Sequence, residues 1–526
     1  MKKFLLFIFL YVPVLTFIAS SQGTRVDVLK YEFLLRLNDS TDVIYGETTA
    51  EVRLTGTTDH IEFDFRNMNS EGKGMKVLAV MLDGNNVKWD HTGNRLRIFS
   101  GSALAANSVS TVKIIYSGIP ADGLGISNNK YGSRIFFSDH WPDRASYYLP
   151  VVDHPSDKAK VDFIIIAPVH YKVVANGYLI EESNLSGNLR LTHWHEEVPL
   201  PVKVMGFGAA CFATQLAGFA ENVPVWSWVY CENREEGFSD YSVAVKILSF
   251  YNRLIGPYPF EKLANVQSKT IYGGLENASC IFYNENSVTG KGRAESLIAH
   301  EEAHQWFGNS VTEKEWCHIW LSEGFATYLT AVYIEMNYGR ERFEAEMKQA
   351  RERVLSYYDK NPSPVIDTVT KNPMGLLNAN SYQKGSWVLH MLRQETGEDN
   401  FWKGLSLFYQ KYRNSNAETS DFRKIMEEVS GKELRQFFHQ WLEVPGQPEI
   451  TISWNNKKGY AEAVIEQKQD YLFIFPLDLL IRDSNGERTE TVRISERRTV
   501  VNIKGDNIKQ ILPDPHTRLL FRVAGK

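Results

Sequence analysis

The sequence predicts a multidomain α+β protein in three parts: strands first, helices in the middle, strands again at the end. Three observations carry that expectation. Strand-like patterning with frequent turn signals runs to about position 212, and from about 239 apolar residues recur at three- and four-residue spacing. The helical pattern stops at the breaker cluster Pro445-Gly446-Gln447-Pro448, after which strand-like runs resume. A length of 526 residues accommodates roughly three domains.

The amino terminus is a separate kind of segment. Lys2 and Lys3 precede an apolar run from Phe4 to Ile18, followed by the small residues Ala19, Ser20 and Ser21. A charged start, an apolar middle and a small-residue end are the order of a secretory signal peptide. A permanent anchor would need about 20 apolar residues, and this run stops at about fifteen. Residues 1–21 are therefore assigned as a signal peptide. The mature protein is expected to be exported, periplasmic or extracellular, with no stable membrane span after cleavage.

Residues 22–213 form the expected N-terminal all-β domain. Stretches 51–54, 61–65 and 113–116 mix apolar and polar residues as half-buried strands do, and Asp83-Gly84-Asn85 is one of several turn signals between them. Residues 214–446 form the helical domain, with helices expected over 241–254, 294–307, 319–336, 340–357, 382–395, 401–412, 419–429 and 432–442. Residues 447–526 form a C-terminal β domain with strands expected at 450–454, 461–467 and 473–481.

Composition narrows the function. Apolar residues make up 43% and charged residues 23%, enough to build ordinary cores. Net charge is −5 with signs interspersed, and no basic block tracks a phosphate backbone, so nucleic acid is not expected as a partner. Cys211, Cys231, Cys280 and Cys317 show no C-x-x-C spacing, which argues against a thiolate zinc site. They read mainly as small buried hydrophobes, although an exported protein could oxidise them.

His300-Glu301-Glu302-Ala303-His304 fits H-E-x-x-H within a helical stretch. Residues four apart share a helix face, so both imidazoles can reach one ion. Two histidines merely packing on a helix would give the same pattern. Glu323, eighteen residues beyond His304 in the next helical stretch, changes the balance. Two His and one Glu occupy three tetrahedral positions and leave the fourth for water, as in catalytic zinc sites. Zinc lowers the pKa of its bound water to about 7, and Glu301 is placed to take the proton as general base. Glu302 reads as a solvated helix residue and His318 as surface or supporting. His193-Trp194-His195 also looks metal-like, but nothing else joins it, and a structural role is expected.

With these residues in view the sequence resembles the aminopeptidase N family of zinc peptidases (gluzincins), to which leukotriene hydrolases also belong. The stretches HEEAHQWFGNSVT (300–312) and WLSEGFA (320–326) are similar to the family's zinc helices. Gly273-Gly274-Leu275-Glu276-Asn277 resembles its G-x-M-E-N exopeptidase motif, and Ser381-Tyr382-Gln383-Lys384-Gly385 its catalytic-tyrosine segment. Fainter similarity extends over 141–159 and 437–448.

The resemblance implies a thermolysin-like, mainly helical catalytic domain with a small sheet and a β-sandwich-like C-terminal domain. It implies one Zn2+ per chain on His300, His304 and Glu323, and peptide substrates with a free N-terminus. Glu276 would bind the substrate α-ammonium, Gly273, Gly274 and Asn277 would line the backbone path, and Tyr382 would stabilise the oxyanion. Asp139 would stand where the family places a second amine anchor. The chain is expected to be a short form without the C-terminal helical domain of larger members, its cleft more open or closed by a second subunit. A zinc endopeptidase, an epoxide hydrolase on the same site and a non-catalytic binding protein are the alternatives; GGLEN argues against the first, and intact Glu301, Glu323 and Tyr382 against the last.

Overall fold

The computed structural model describes residues 26–525, so the expected signal peptide lies outside the described residues. Among the described residues no helix is long and apolar enough to cross a membrane.

The first part is built from strands, as expected. An eight-stranded sheet has Val26–Arg36, Ile44–Leu54, Val109–Ile119 and Lys158–Pro168 among its members. Side chains alternate strictly along Ile44–Leu54, one face buried and the other partly exposed. In the core of this sheet the Tyr31 and Phe33 rings stack with centroids 5.1 Å apart, and Phe163 lies tilted against Phe33 at 5.5 Å. A second, four-stranded sheet orders Lys172–Ala175, Phe207–Ala210, Arg134–Ser138 and Leu124–Asn128. Its strand Arg134–Ser138 ends where the chain leaves for the functional cleft, delivering Trp141 to it.

The middle part opens with a five-stranded sheet in the order Phe212–Ala220, Val223–Tyr230, Leu263–Ser268, Cys280–Asn284, Gly274–Leu275. Helices follow: α1 (Arg234–Tyr241), α2 (Ala244–Leu254), α3 (Glu295–His304), α4 (Trp320–Tyr338), α5 (Arg340–Tyr358), α6 (Gly385–Thr396), α7 (Glu398–Tyr412), α8 (Thr419–Ser430) and α9 (Arg435–Phe438). The helix expected over 241–254 is α2, which starts at Ala244; α1, ending at Tyr241, precedes it and is not among the expected helices. Two expected helices contain π-helical turns, Asn380–Lys384 and His439–Glu443, a variation that apolar spacing does not encode. Gly339, at φ 89°, ends α4 in a backbone state costly for other residues and lets α5 turn back along it.

The last part is a pair of small sheets. Arg498–Lys504, Tyr460–Gln467, Glu449–Lys457 and Arg522–Val523 form one; Gly486–Ile494, Phe475–Asp483 and Gln510–Pro513 form the other. It is fastened to the helical part by buried polar contacts: His390 of α6 bonds Thr517 O at 3.0 Å, and Arg351 of α5 donates to Leu519 O at 2.7 Å.

Candidate active site

α3 and α4 pack against each other and converge His300, His304 and Glu323, the one group of potential metal ligands found among the described residues. The two Nε2 atoms are 3.1 Å apart, and Glu323 Oε2 lies 3.6 Å from that of His300 and 3.3 Å from that of His304. Glu323 Oε2 is buried without a hydrogen-bond partner, which is how a metal ligand looks before the ion is counted. Two imidazole nitrogens and one carboxylate oxygen are a donor set suited to zinc. On its far side His304 Nδ1 meets Ser322 Oγ at 3.0 Å and Phe307 O at 3.3 Å, contacts that fix the ring with Nε2 facing the ligand centre.

Charge is balanced within this cluster. Burial disfavours the Glu323 carboxylate, but His304 and His300 hold its pKa well below the usual carboxylate range. Burial works against protonation of His304 too, and Glu323 and Glu276 outweigh it, raising the ring to about 9. His300 is lowered, chiefly by burial.

Glu301 reaches the same cavity from α3 and is 4% exposed. Burial pushes its pKa well up while His304 opposes the rise, the environment of a carboxylate tuned to accept a proton. Glu302 corrects the sequence expectation: it is fully buried, with neither oxygen hydrogen-bonded. Burial raises its pKa far above normal, so it is held neutral; other segments cover the face of α3 on which it sits, and water does not reach it.

The GGLEN segment forms the cleft's opposite wall. Gly274–Leu275 is an edge strand, antiparallel to Cys280–Asn284, with Gly274 opposite Tyr283. A β-carbon on Gly274 would lie 2.3 Å from Glu301 Oε1, so glycine is required for the edge to approach Glu301. Gly273 is less constrained, a β-carbon there meeting only Leu297 at 3.4 Å.

Glu276 is 5% exposed and lines the cavity, with its carboxylate accepting from the Trp141 indole N–H. Its carbonyl accepts from Gln305 Nε2 at 3.1 Å and Asn309 Nδ2 at 2.6 Å. Gln305 Oε1 also takes the Ser279 N–H at 2.8 Å. The residues just after the H-E-x-x-H helix thus hold the glutamate's backbone in place. Gln305 and Asn309 lie inside the 300–312 zinc stretch, but their spacing carries no sign of this role, which exists only once the fold joins the two segments.

Trp141 is the first part's contribution to the wall. It packs on Trp316 at 5.6 Å between centroids, and the Lys203 ammonium sits 5.0 Å from its ring. Lys203 in turn makes a buried ion pair with Glu313. Asp139, from the same segment, is instead bound to Arg144 and does not line the cavity; burial, opposed by Arg144, raises it to about 6. Asn277 also lies off the cavity, buried against Gly206.

Tyr382 stands in the π-turn before α6, its ring parallel to that of His300 at 6.2 Å. Burial, then the nearby carboxylates of Glu323 and Glu276, push its phenol well above the usual value, so it remains a proton donor. His300, His304, Glu323, Glu301, Tyr382 and Glu276 all face one cavity of about 450 Å³.

The remaining sequence candidates fall elsewhere. His193 Nε2 and His195 Nδ1 both contact Asp162 Oδ1, at 2.6 and 3.0 Å, and Lys30 pairs with the other oxygen at 2.6 Å, a structural network on the first sheet. His318 is part-buried and bonded to Thr419. Cys280 is buried as expected, whereas Cys211 and Cys231 are exposed, a correction to their assignment as core residues.

Comparison with known proteins identifies the family. Residues 240–441 match the peptidase family M1 domain, and residues 28–202 match the peptidase M1 N-terminal domain. The chain belongs to peptidase family M1. A leucyl aminopeptidase of Saccharolobus solfataricus is 24% identical over 503 residues, covering 90% of this chain and 61% of that protein. Aminopeptidase M1-C of Oryza sativa subsp. japonica is 27% identical over 392 residues, 70% of this chain and 43% of its own. The chain thus spans about half the length of the curated M1 relatives it matches. An M1 zinc metallopeptidase from Deinococcus radiodurans has the same fold, with a TM-score of 0.69 at 22% identity over 81% of this chain and 95% of that one.

Proposed function

We propose that the protein is a zinc-dependent aminopeptidase releasing residues from the free amino ends of peptides. The observation that carries this reading is one cavity with the His300–His304–Glu323 set on one wall and the Glu276 carboxylate on the other. The two curated M1 relatives, which are aminopeptidases by name, support it.

In this reading the Glu276 carboxylate binds the substrate α-ammonium, and its Trp141 partner fixes which oxygen faces the cleft. That anchor sets the distance from the terminus to the scissile carbonyl at one residue. The substrate backbone lies along the Gly274–Leu275 edge, taking the open side of the sheet. His300, His304 and Glu323 would hold the zinc ion, which would supply polarisation of the scissile carbonyl and a water of pKa about 7. Glu301 takes the water's proton and passes it to the departing amine. Tyr382 donates its phenolic hydrogen to the developing oxyanion. Asp139, facing Arg144, has no direct part in amine binding here.

The reading includes export. The amino-terminal sequence supports it, and fractionation of expressing cells, with sequencing of the mature amino terminus, tests it.

A panel of aminoacyl-coumarin substrates tests the activity, each with its N-acetylated counterpart. Cleavage of free but not acetylated substrates is expected. Equal rates on both would sink the role of Glu276, and no cleavage of any substrate by zinc-loaded protein would sink the exopeptidase reading.

A further inference from the structure

Strand Phe207–Ala210 belongs to the first part's four-stranded sheet, and strand Phe212–Ala220 is an edge of the catalytic sheet; Cys211 is the single residue between them. Cys231 follows strand Val223–Tyr230 immediately. Phe212 pairs with Tyr230 at the end of that hairpin, and the Cys231 N–H donates to Cys211 O at 3.2 Å, so the register continues with the two cysteines opposite each other. Directly opposed residues in antiparallel strands have Cα atoms about 4.5–5.5 Å apart, within the span a disulfide bridges. Both cysteines are exposed and their sulfurs are 3.0 Å apart. A disulfide at about 2.05 Å would need only a shift of the sulfurs toward each other, with no rearrangement of the ladder.

We propose that Cys211 and Cys231 are an oxidation site forming an intrachain disulfide, which staples the hairpin where the chain passes from the first part into the catalytic sheet. The co-reactant is a disulfide-bearing oxidant, small-molecule or protein. The Cys211 thiolate attacks one oxidant sulfur, forming a mixed disulfide and expelling the first thiol. The Cys231 thiolate then attacks the Cys211 sulfur, closing the bond and expelling the second thiol. Two electrons and two protons leave with those thiols. Burial and the neighbouring sulfur raise the Cys231 thiol to about 11, and the same two steps balance equally with the two cysteines exchanged. The crosslink limits the freedom of the 211–231 loop in the unfolded chain and pins an edge strand against fraying. Neither cysteine lines the active-site cavity, so peptidase turnover does not depend on the bond.

The full mature chain is equilibrated with excess glutathione disulfide, then with excess dithiothreitol, and each state is differentially alkylated and mapped by mass spectrometry. Oxidised protein is expected to lose two hydrogens, with Cys211 and Cys231 in one crosslinked peptide pair and Cys280 and Cys317 alkylated as free thiols. Two free thiols, stable glutathione adducts or a bond to another cysteine would overturn the assignment. Thermal unfolding of the Cys211→Ser/Cys231→Ser double variant separates the staple from a packing effect. Oxidised wild type should melt several degrees above both reduced wild type and the variant, which should coincide, with all three turning over substrate equally. Identical melting of oxidised and reduced wild type would overturn the stabilising role.

Discussion

Gly324 and Gly385 meet face to face: a β-carbon on either would lie 2.9 Å from the other's Cα. That contact lets the start of α4, carrying Glu323, touch the junction of the Tyr382 π-turn and α6. Gly324→Ala would force the two apart at an overpacking cost of about 1–3 kcal/mol. Tyr382 would move relative to the metal ligands, and a displacement near 1 Å can cost about 100-fold in turnover. We expect kcat to fall by roughly that factor with zinc content unchanged, checked by steady-state kinetics beside metal analysis. Unaltered kcat would show that the contact does not position the tyrosine.

Glu301→Gln preserves shape and removes the base. General-base assistance contributes about 10²–10⁴-fold, so kcat should drop by at least 100-fold while zinc stays near one per chain. Chelation should abolish wild-type activity and added zinc restore it. A Glu301→Gln enzyme retaining a tenth of wild-type turnover would remove Glu301 from the mechanism.

Asn309→Ala tests whether the zinc-helix extension positions the amine anchor. It deletes the 2.6 Å bond to Glu276 O and leaves that buried carbonyl with Gln305 alone. Weakening one buried hydrogen bond costs about 1 kcal/mol, which corresponds to a rise of roughly fivefold in KM for free-amine substrates with kcat little changed. An equal fall of kcat and zinc content would indicate damage to the metal site instead.

His390 makes a prediction about acid. It is fully buried between α6 and the C-terminal strands, Nε2–H donating to Thr517 O and Nδ1 accepting from Tyr328 at 3.3 Å. Burial, reinforced by Arg340, Arg393 and Arg518, lowers its pKa from 6.5 to about 3. Between those values the unfolded chain binds a proton that the folded chain refuses, so this residue's stabilising contribution declines as pH falls through 6.5. From pH 7 to 4.5 wild type should lose about 2 kcal/mol relative to His390→Gln, read from urea unfolding of both at each pH. A constant difference between the two would refute the linkage.

Much of the site is legible in the sequence because its parts are local. The spacing of His300, Glu301 and His304 is a helix property, and Glu323 lies one helix away. The residues that escape a sequence reading depend on contacts between distant segments. Trp141 and Asp139 share one segment, and only the packing of Trp316 and Lys203 turns the indole to Glu276 while Arg144 holds the carboxylate aside. Glu302 reads as solvated because a polar helix position says nothing about what covers it. Cys211 and Cys231 read as core residues because pairing register, not residue type, brings them to the surface together. The three-part α+β architecture is plain, since changes of period mark domain changes directly; the π-turn carrying Tyr382 is not, because a single extra residue per turn leaves the apolar pattern nearly unaltered.

The sheet beside the metal ligands ends in a strand of two residues, Gly274–Leu275, with one flank unpaired among the described residues. A peptide aligned there is gripped through its amide groups, which every residue except proline presents alike. On the proposed function, recognition works as a ruler more than as a reader: Glu276 marks zero, the metal ligands mark the first bond, and the side chains farther along the peptide are left largely unspecified. An aminopeptidase of the kind proposed would accept a mixed diet of peptides, with proline near the terminus the sequence feature it handles worst.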